Sequence, residues 1–195
     1  LCMQCHGTGI KGARVIKPDE HSHHSANSPG NRCVECHMPH RTFMERDPRR
    51  DHGFHSPDPL LTKELGVPNA CNNCHEDKPE EWLIKHHEKW FGETPTLKRK
   101  RSRARLLTKA QNADSSINDE VIEAAATDPN LFWRATFTNL LRHFRPNEPM
   151  IHALKKNIND RHPLVRATAA SYLAELNPAD PDVKTALNDK SRLVR

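Results

Sequence analysis

The sequence predicts a mainly α-helical protein built from two unlike parts: a loop-rich segment with little regular structure over residues 1–78, and an α-helical repeat solenoid over residues 116–195, joined by a helical connector at 79–115. Three observations carry this. All six cysteines lie before residue 76, while of the ten aromatic residues only Phe43 and Phe54 do. Amphipathic helical patterning begins at Pro79. Beyond Ser116 a short Asp–Arg pattern recurs at intervals near thirty residues.

The first part cannot fold on its own apolar side chains. It is rich in histidine, glycine and proline and poor in the large residues that fill a core. Something other than its side chains must supply the interior. Its cysteines suggest what that is: they form three C-x-x-C pairs, each followed directly by histidine, at Cys2-Met3-Gln4-Cys5-His6, Cys33-Val34-Glu35-Cys36-His37 and Cys71-Asn72-Asn73-Cys74-His75. Two cysteines at this spacing can form thioethers to the two vinyl groups of one haem, and the next residue then lies under the iron as its proximal ligand. Zinc sites and redox dithiols also use C-x-x-C pairs. Neither needs histidine at the following position. With 14 histidines in 195 residues, that placement after all three pairs is a chance event of about 4 in 10,000. The expected cofactors are therefore three covalently bound haem c groups, each with one iron. With none of the six cysteines left over, a long-range disulfide framework is disfavoured.

Haem also changes the meaning of the charge. A formal +5 and a pI near 9.0 ordinarily suggest a polyanionic partner. Set against about six propionates, that charge falls to about +2 with the irons oxidised and about −1 with them reduced. No nucleic-acid partner is therefore expected.

Six histidines outside the motifs fall before residue 76, at 21, 23, 24, 40, 52 and 55, and five follow at 86, 87, 143, 152 and 162. They exceed what three bis-histidine haems require. His24 and His52 lead the candidates for distal ligands, with His23, His55 and His40 behind them. His23 and His24 precede Cys33 by about nine residues, with Ser28-Pro29-Gly30 turning the chain between, a length that lets the segment cap a neighbouring haem. His52 sits in Arg50-Asp51-His52-Gly53-Phe54, where the aspartate can orient an imidazole and the glycine allows close approach to a flat macrocycle. His40 follows His37 too closely to reach the opposite face of the same haem. Met44 is the one plausible methionine ligand, and it ranks below the histidines.

These residues carry a resemblance. Cys36-His37-Met38-Pro39, preceded by His23-His24 and followed by Arg50-Asp51-His52 and Pro68-Asn69-Ala70-Cys71, resembles multihaem c-type cytochromes related to the pentahaem nitrite reductases and tetrahaem electron carriers. It looks more closely like bacterial proteins in which such a haem segment precedes helical repeats. The resemblance implies closely packed bis-histidine haems for electron transfer, in a periplasmic or extracellular setting. The chain departs from the nitrite reductases in lacking the C-x-x-C-K motif of their catalytic haem, which argues against nitrite chemistry.

In the connector, Pro79-Glu80-Glu81 suits a helix start, with proline in the first turn and acids at the positive end of the dipole. Trp82, His86 and Trp90 then share a face that is expected to pack on the haem segment; His86 or His87 as a distal ligand is the alternative. Gly92 to Pro95 is the expected joint. Lys98 to Arg105 holds six basic residues in eight, with no interleaved aromatic to suggest single-stranded nucleic acid. A solvated helix face is the expected role; facing haem propionates or an acidic redox partner is the alternative.

In the last part, Asp128, Asp160 and Asp189 each precede an arginine by six residues (Arg134, Arg166, Arg195), with offsets of 32 and 29. Arg134-Ala135-Thr136 matches Arg166-Ala167-Thr168, and Leu141 matches Leu173. Helices are expected over 117–126, 132–144, 150–158 and 164–176. Such two-helix units look like HEAT-type repeats, each burying its face on its neighbours.

The function expected from these features is electron transfer through closely packed bis-histidine haems, with the repeats as scaffold or docking surface. Its partners are then redox proteins or other haem domains. The runner-up is part of a multihaem oxidoreductase acting on a small nitrogen or sulfur oxyanion at one open-site haem. No acid–base pair or nucleophile constellation stands out as catalytic. The chain contains no signal peptide and no apolar run of membrane-spanning length. It starts one residue before a haem motif and ends within an expected helix, so it is expected to be part of a longer polypeptide.

Overall fold

The structure is a computed structural model that describes residues 2–92 and 94–195; Glu93, within the expected joint, lies outside the described residues. The chain is mainly α, with eleven α-helices and one two-stranded sheet among the described residues. It divides into two compact units, residues 1–98 and 99–195.

In the first unit regular structure is short and local. The helices α1 (Cys2–His6) and α3 (Cys33–His37) are single turns made of the first two motifs themselves, and α2 (Pro18–Ser22) is another single turn. The strands β1 (His40–Phe43) and β2 (Asp47–Arg50) form an antiparallel hairpin with His40 opposite Arg50 and Phe43 opposite Asp47. Among the described residues before 58, Pro39 alone is buried. Packing of side chain on side chain begins with α4 (Pro59–Leu65) and α5 (Glu80–Phe91), where Leu61 and Leu83 are buried. As its sequence anticipates, α5 starts after Pro79 with two acids in its first turn. It stops at Gly92, whose φ of +58° is costly for any residue with a Cβ.

The second unit is a conventional apolar core. It comprises α6 (Pro95–Gln111, from Arg99 onward), α7 (Asn118–Thr127), α8 (Leu131–Leu140), α9 (Glu148–Asn157), α10 (Pro163–Leu176) and α11 (Pro181–Ala186). The expected helices over 117–126, 150–158 and 164–176 correspond to α7, α9 and α10; the one over 132–144 tightens into a 3-10 turn at Leu141–His143. Helix α7 packs on α8 and α9, and α10 packs on α8 and α9, so the pairs α7/α8 and α9/α10 stack first helix on first and second on second. Val121, Ala125, Phe137, Leu141, Met150, Leu154, Val165, Ala169 and Leu173 are buried essentially completely. One polar group threads this core: Asn157 donates to the Ala125 carbonyl and to Thr138 Oγ1, both at 2.9 Å, which satisfies it without water.

The recurring aspartates and arginines form a ladder. Arg103 binds Asp128, Arg134 binds Asp160 at 3.0 Å, and Arg166 binds Asp189 at 2.7 Å. Each aspartate has a second task. Asp128, Asp160 and Asp189 accept the backbone N–H two residues on, at 2.7–2.8 Å, forming the turn that starts the next segment. Arg134 and Arg166 also donate to the carbonyls of Asp128 and Asp160, at 2.8 and 2.9 Å. The arginine six residues after an aspartate thus takes that residue's carbonyl, and the carboxylate goes to an arginine two helices back. Arg103, half-buried, comes from the basic run of α6, where Arg101 is buried. That run is therefore not the uniformly solvated face expected of it; its repeat position makes part of it structural.

Candidate haem site

The second motif is the most fully built. Helix α3 presents Cys33, Cys36 and His37, and the segment after β2 returns to hold it. Arg50 donates to the carbonyls of Val34 at 3.2 Å and Met38 at 3.0 Å, and to Glu35 Oε1 at 2.7 Å. Glu35 is the variable residue just before Cys36, and the Arg50 hydrogen bond holds its carboxyl below the usual range. His55 closes the other side: its N–H donates to the His37 carbonyl at 2.9 Å, and its carbonyl accepts from His37 Nδ1 at 2.6 Å. A carbonyl can only accept, so the His37 proton sits on Nδ1 and the Nε2 lone pair is left for a metal. The His55 ring is held in turn, with Nε2 2.8 Å from Asp51 Oδ2, while Asp51 Oδ1 accepts the Gly53 N–H at 2.8 Å. The Gly53 N–H and then His55 hold the Asp51 carboxyl low. A Cβ at Gly53 would stand 2.8 Å from His55 Nε2 and 3.1 Å from Asp51 Oδ1, which is why glycine belongs there.

The first motif repeats this device. His6 Nδ1 donates to the Arg14 carbonyl at 3.0 Å, and Ile16 N–H donates to the His6 carbonyl at 2.8 Å. The third motif is set differently, on a 3-10 turn at Ala70–Asn73. Asn69 caps it by accepting the Cys71 N–H at 2.9 Å, while its amide donates to Asn72 Oδ1, also at 2.9 Å. The second and third motifs are close enough for their thiols to interact. Burial and then Cys74 raise Cys36, and burial followed by Cys36 pushes Cys71 up to about 11.

Facing the imidazoles of His37 and His75 lies the segment His21 to His24. The rings of His21 and His37 are 6.0 Å apart between centres and nearly parallel, at 16°. Those of His24 and His75 are 6.2 Å apart at 36°. Two imidazoles bound to one iron at about 2 Å each put their ring centres roughly 6 Å apart. Burial, followed by the charge of His37, lowers the pKa of His21 and favours the neutral form a ligand needs. His24 Nδ1 donates to the Ser22 carbonyl at 2.6 Å, leaving its Nε2 lone pair available. The His24 ring lies directly against Gly30, where any Cβ would strike it.

Helix α5 backs this segment with the aromatic face anticipated for it. Trp82 lies 5.2 Å from His75, Trp90 stacks on His23 at 5.0 Å and 12° and meets His24 edge-on at 5.9 Å, and Phe91 lies 5.7 Å from His21. His86 sits between Trp82 and Trp90, its Nδ1 donating to the Trp82 carbonyl at 2.8 Å. His87 is buried beside Phe91.

The remaining candidates have distinct places. His52 donates from Nδ1 to the Arg50 carbonyl at 2.9 Å, so it too keeps a ligand tautomer. The Asp51 carboxylate orients His55, not His52, and the His55 main chain binds His37. His40 is exposed on β1, and Met44 is exposed with a positive φ of 51° at the hairpin tip. His21 is absent from the candidates ranked by position along the chain, and the fold brings it 6.0 Å from His37. Its spacing of three from His24 is the signal: one short segment, turning at His23, can present two imidazoles to His37 and His75.

The residues fit haem c well. The cysteines are unpaired thiols, the imidazoles of His6 and His37 are held through Nδ1, and the polypeptide around them buries almost nothing of its own. Among the described residues no three of His, Cys, Asp or Glu converge as a structural zinc site requires. A family model described as cytochrome c552 matches residues 19–183. The chain belongs to the cytochrome c552 family. It is accordingly a c-type cytochrome, with covalently bound haem c and iron as its cofactor. The match takes in the second and third motifs and helices α2 to α10; the first motif precedes it. No curated protein and no solved structure matches. No helix among the described residues is long and apolar enough to cross a membrane.

Proposed function

We propose that this cytochrome is a three-haem electron-transfer module with haems on Cys2/Cys5, Cys33/Cys36 and Cys71/Cys74 and proximal ligands His6, His37 and His75. The observation that carries the reading is the pair of cross-site imidazole separations, 6.0 Å for His21–His37 and 6.2 Å for His24–His75. They support His21 and His24 as distal ligands of the second and third haems. The iron of the first haem draws its ligand from His23, His40, His52 and His55, of which His52 keeps the ligand tautomer. Six-coordinate irons have no position for substrate, so the module passes electrons to redox partner proteins or further haem domains. Two neighbouring ligands on one turn, and thiols of two motifs within electrostatic reach of each other, support close haem packing.

Residues 1–78 form the haem segment in this reading, 79–115 the connector and 116–195 HEAT-like repeats acting as scaffold or docking surface. The stacked helix pairs and the Asp–Arg ladder support the repeat assignment. The setting is periplasmic or extracellular, where haem attachment of this type takes place.

Optical and electron paramagnetic resonance spectra of the loaded chain test it. Low-spin haem throughout is expected, with His21→Ala and His24→Ala each converting one different haem to high spin. A substantial high-spin, five-coordinate haem in the native chain would replace this reading with that of an oxidoreductase with an open-site haem.

A further inference from the structure

The segment from Arg50 to His55 has features that the ligand set alone does not explain. Arg50 spends its guanidinium on three acceptors of one helical turn, the Val34 and Met38 carbonyls and the Glu35 carboxylate. The Met38 carbonyl lies at the C-cap of that turn, where a cation is favoured and an orphan acceptor needs a donor, and the Val34 carbonyl already accepts the Met38 N–H at 2.9 Å, so Arg50 reinforces the bond that closes the turn. Five residues later His55 takes both main-chain and side-chain groups of His37. The Asp51–His55 contact and the space at Gly53 hold the intervening loop in one conformation. The short β1–β2 hairpin brings Arg50 back opposite His40, three residues after the proximal ligand.

We propose that Arg50 is a positioning residue for the His37 iron: by clamping the helical turn of the second motif it fixes the His37 Nδ1–H to His55 carbonyl hydrogen bond, and through that bond it sets the reduction potential of this haem relative to its neighbours. A short bond from Nδ1 to a carbonyl pushes electron density onto the imidazole, which strengthens its donation to iron and favours the oxidised state. Loosening the clamp lengthens the bond and raises the potential. The charge of Arg50 acts the other way, since a nearby cation favours the reduced iron and its loss lowers the potential. The two effects are therefore separable by sign.

The inference rests on the assignment of Cys33, Cys36 and His37 to a haem, and the test begins by establishing that assignment. Mass analysis of the peptide containing Cys33 and Cys36 from the native loaded chain shows whether it carries haem; a bare peptide refutes the assignment itself. Arg50→Lys keeps the charge but cannot bridge three acceptors with a planar fork. Spectroelectrochemical titration of Arg50→Lys is expected to show one one-electron step shifted upward, by on the order of fivefold in the oxidised-to-reduced ratio at fixed potential. The other steps stay in place, and the resonance signature of one low-spin haem changes. If that variant fails to accumulate with full haem, Glu35→Asp, which keeps the charge and shortens the clamp, is expected to move the same step in the same direction. Potentials unchanged in the charge-conserving variant, with a lowered step in Arg50→Ala, would overturn positioning in favour of charge alone. Equal displacement of every step would overturn it in favour of a general structural role.

Discussion

The two units of this cytochrome solve the same problem, giving a chain an interior, with different materials. Residues 99–195 bury Phe137, Leu141, Met150, Leu154 and Leu173 against one another and tie successive turns with arginine–carboxylate rungs. Before residue 58 the first unit buries only Pro39 among its described residues. It spends its hydrogen bonds on fixing histidine rings and the turns that carry cysteines. A segment that fixes so many histidine rings while burying so little fits the proposed haem segment. In that reading, stability in one unit follows from apolar area and in the other from covalent attachment and coordination.

That contrast can be broken most severely by removing the cofactor. Replacing Cys33, Cys36, Cys71 and Cys74 by alanine is expected to abolish protection of amides before residue 58 in hydrogen-exchange mass spectrometry, while α7 to α10 stay protected. Loss of protection in both units would show that the second depends on the haem segment. The converse experiment is Phe137→Ala, which removes a fully buried ring and should cost about 3–5 kcal/mol of second-unit stability in denaturant unfolding. The haem absorption spectrum is expected to stay unchanged. Smaller again is Arg134→Ala, which leaves Asp160 without its rung and the Asp128 carbonyl without a donor. A loss of about 2–3 kcal/mol is expected by the same measurement.

The finest test uses pH. Arg166, followed by the Ser191 N–H, holds the Asp189 carboxyl at about 2, below its ordinary value near 4. Because the folded pKa is depressed, its contribution is complete above the ordinary value and is lost as pH falls from about 4 towards about 2. Unfolding midpoints measured across that window should fall less steeply in Asp189→Asn than in the native chain. An identical slope would show that the last rung carries no linkage.

Much of this was legible in the residues. The three motifs named the cofactor because a histidine directly after each C-x-x-C is chemistry that zinc does not require. The α5 face of Trp82, His86 and Trp90 followed from helical periodicity, and the recurrence of Asp128, Asp160 and Asp189 exposed the repeat. What was not legible concerned partners across the chain. The Asp–Arg spacing of six suggests a local pair, yet each carboxylate goes to an arginine two helices back, 23 to 26 residues away. Arg103 was hidden in a run of basic residues whose members look alike until one faces Asp128. Asp51 seemed placed to orient its neighbour His52, but the turn at Gly53 carries the chain round so that His55 receives it.

The sequence by itself determined the cofactor chemistry, the helical character of the second half and the positions at which its Asp–Arg pattern recurs. These depend on covalent spacing and on periodicity, which are properties of neighbours along the chain. Only the tertiary structure decided that His21 and His24 face His37 and His75, that Arg50 and His55 grip the second motif, and that the ladder runs from helix to helix. Such pairings depend on which segments the turns bring side by side, and identical residue types at other positions satisfy the same local rules.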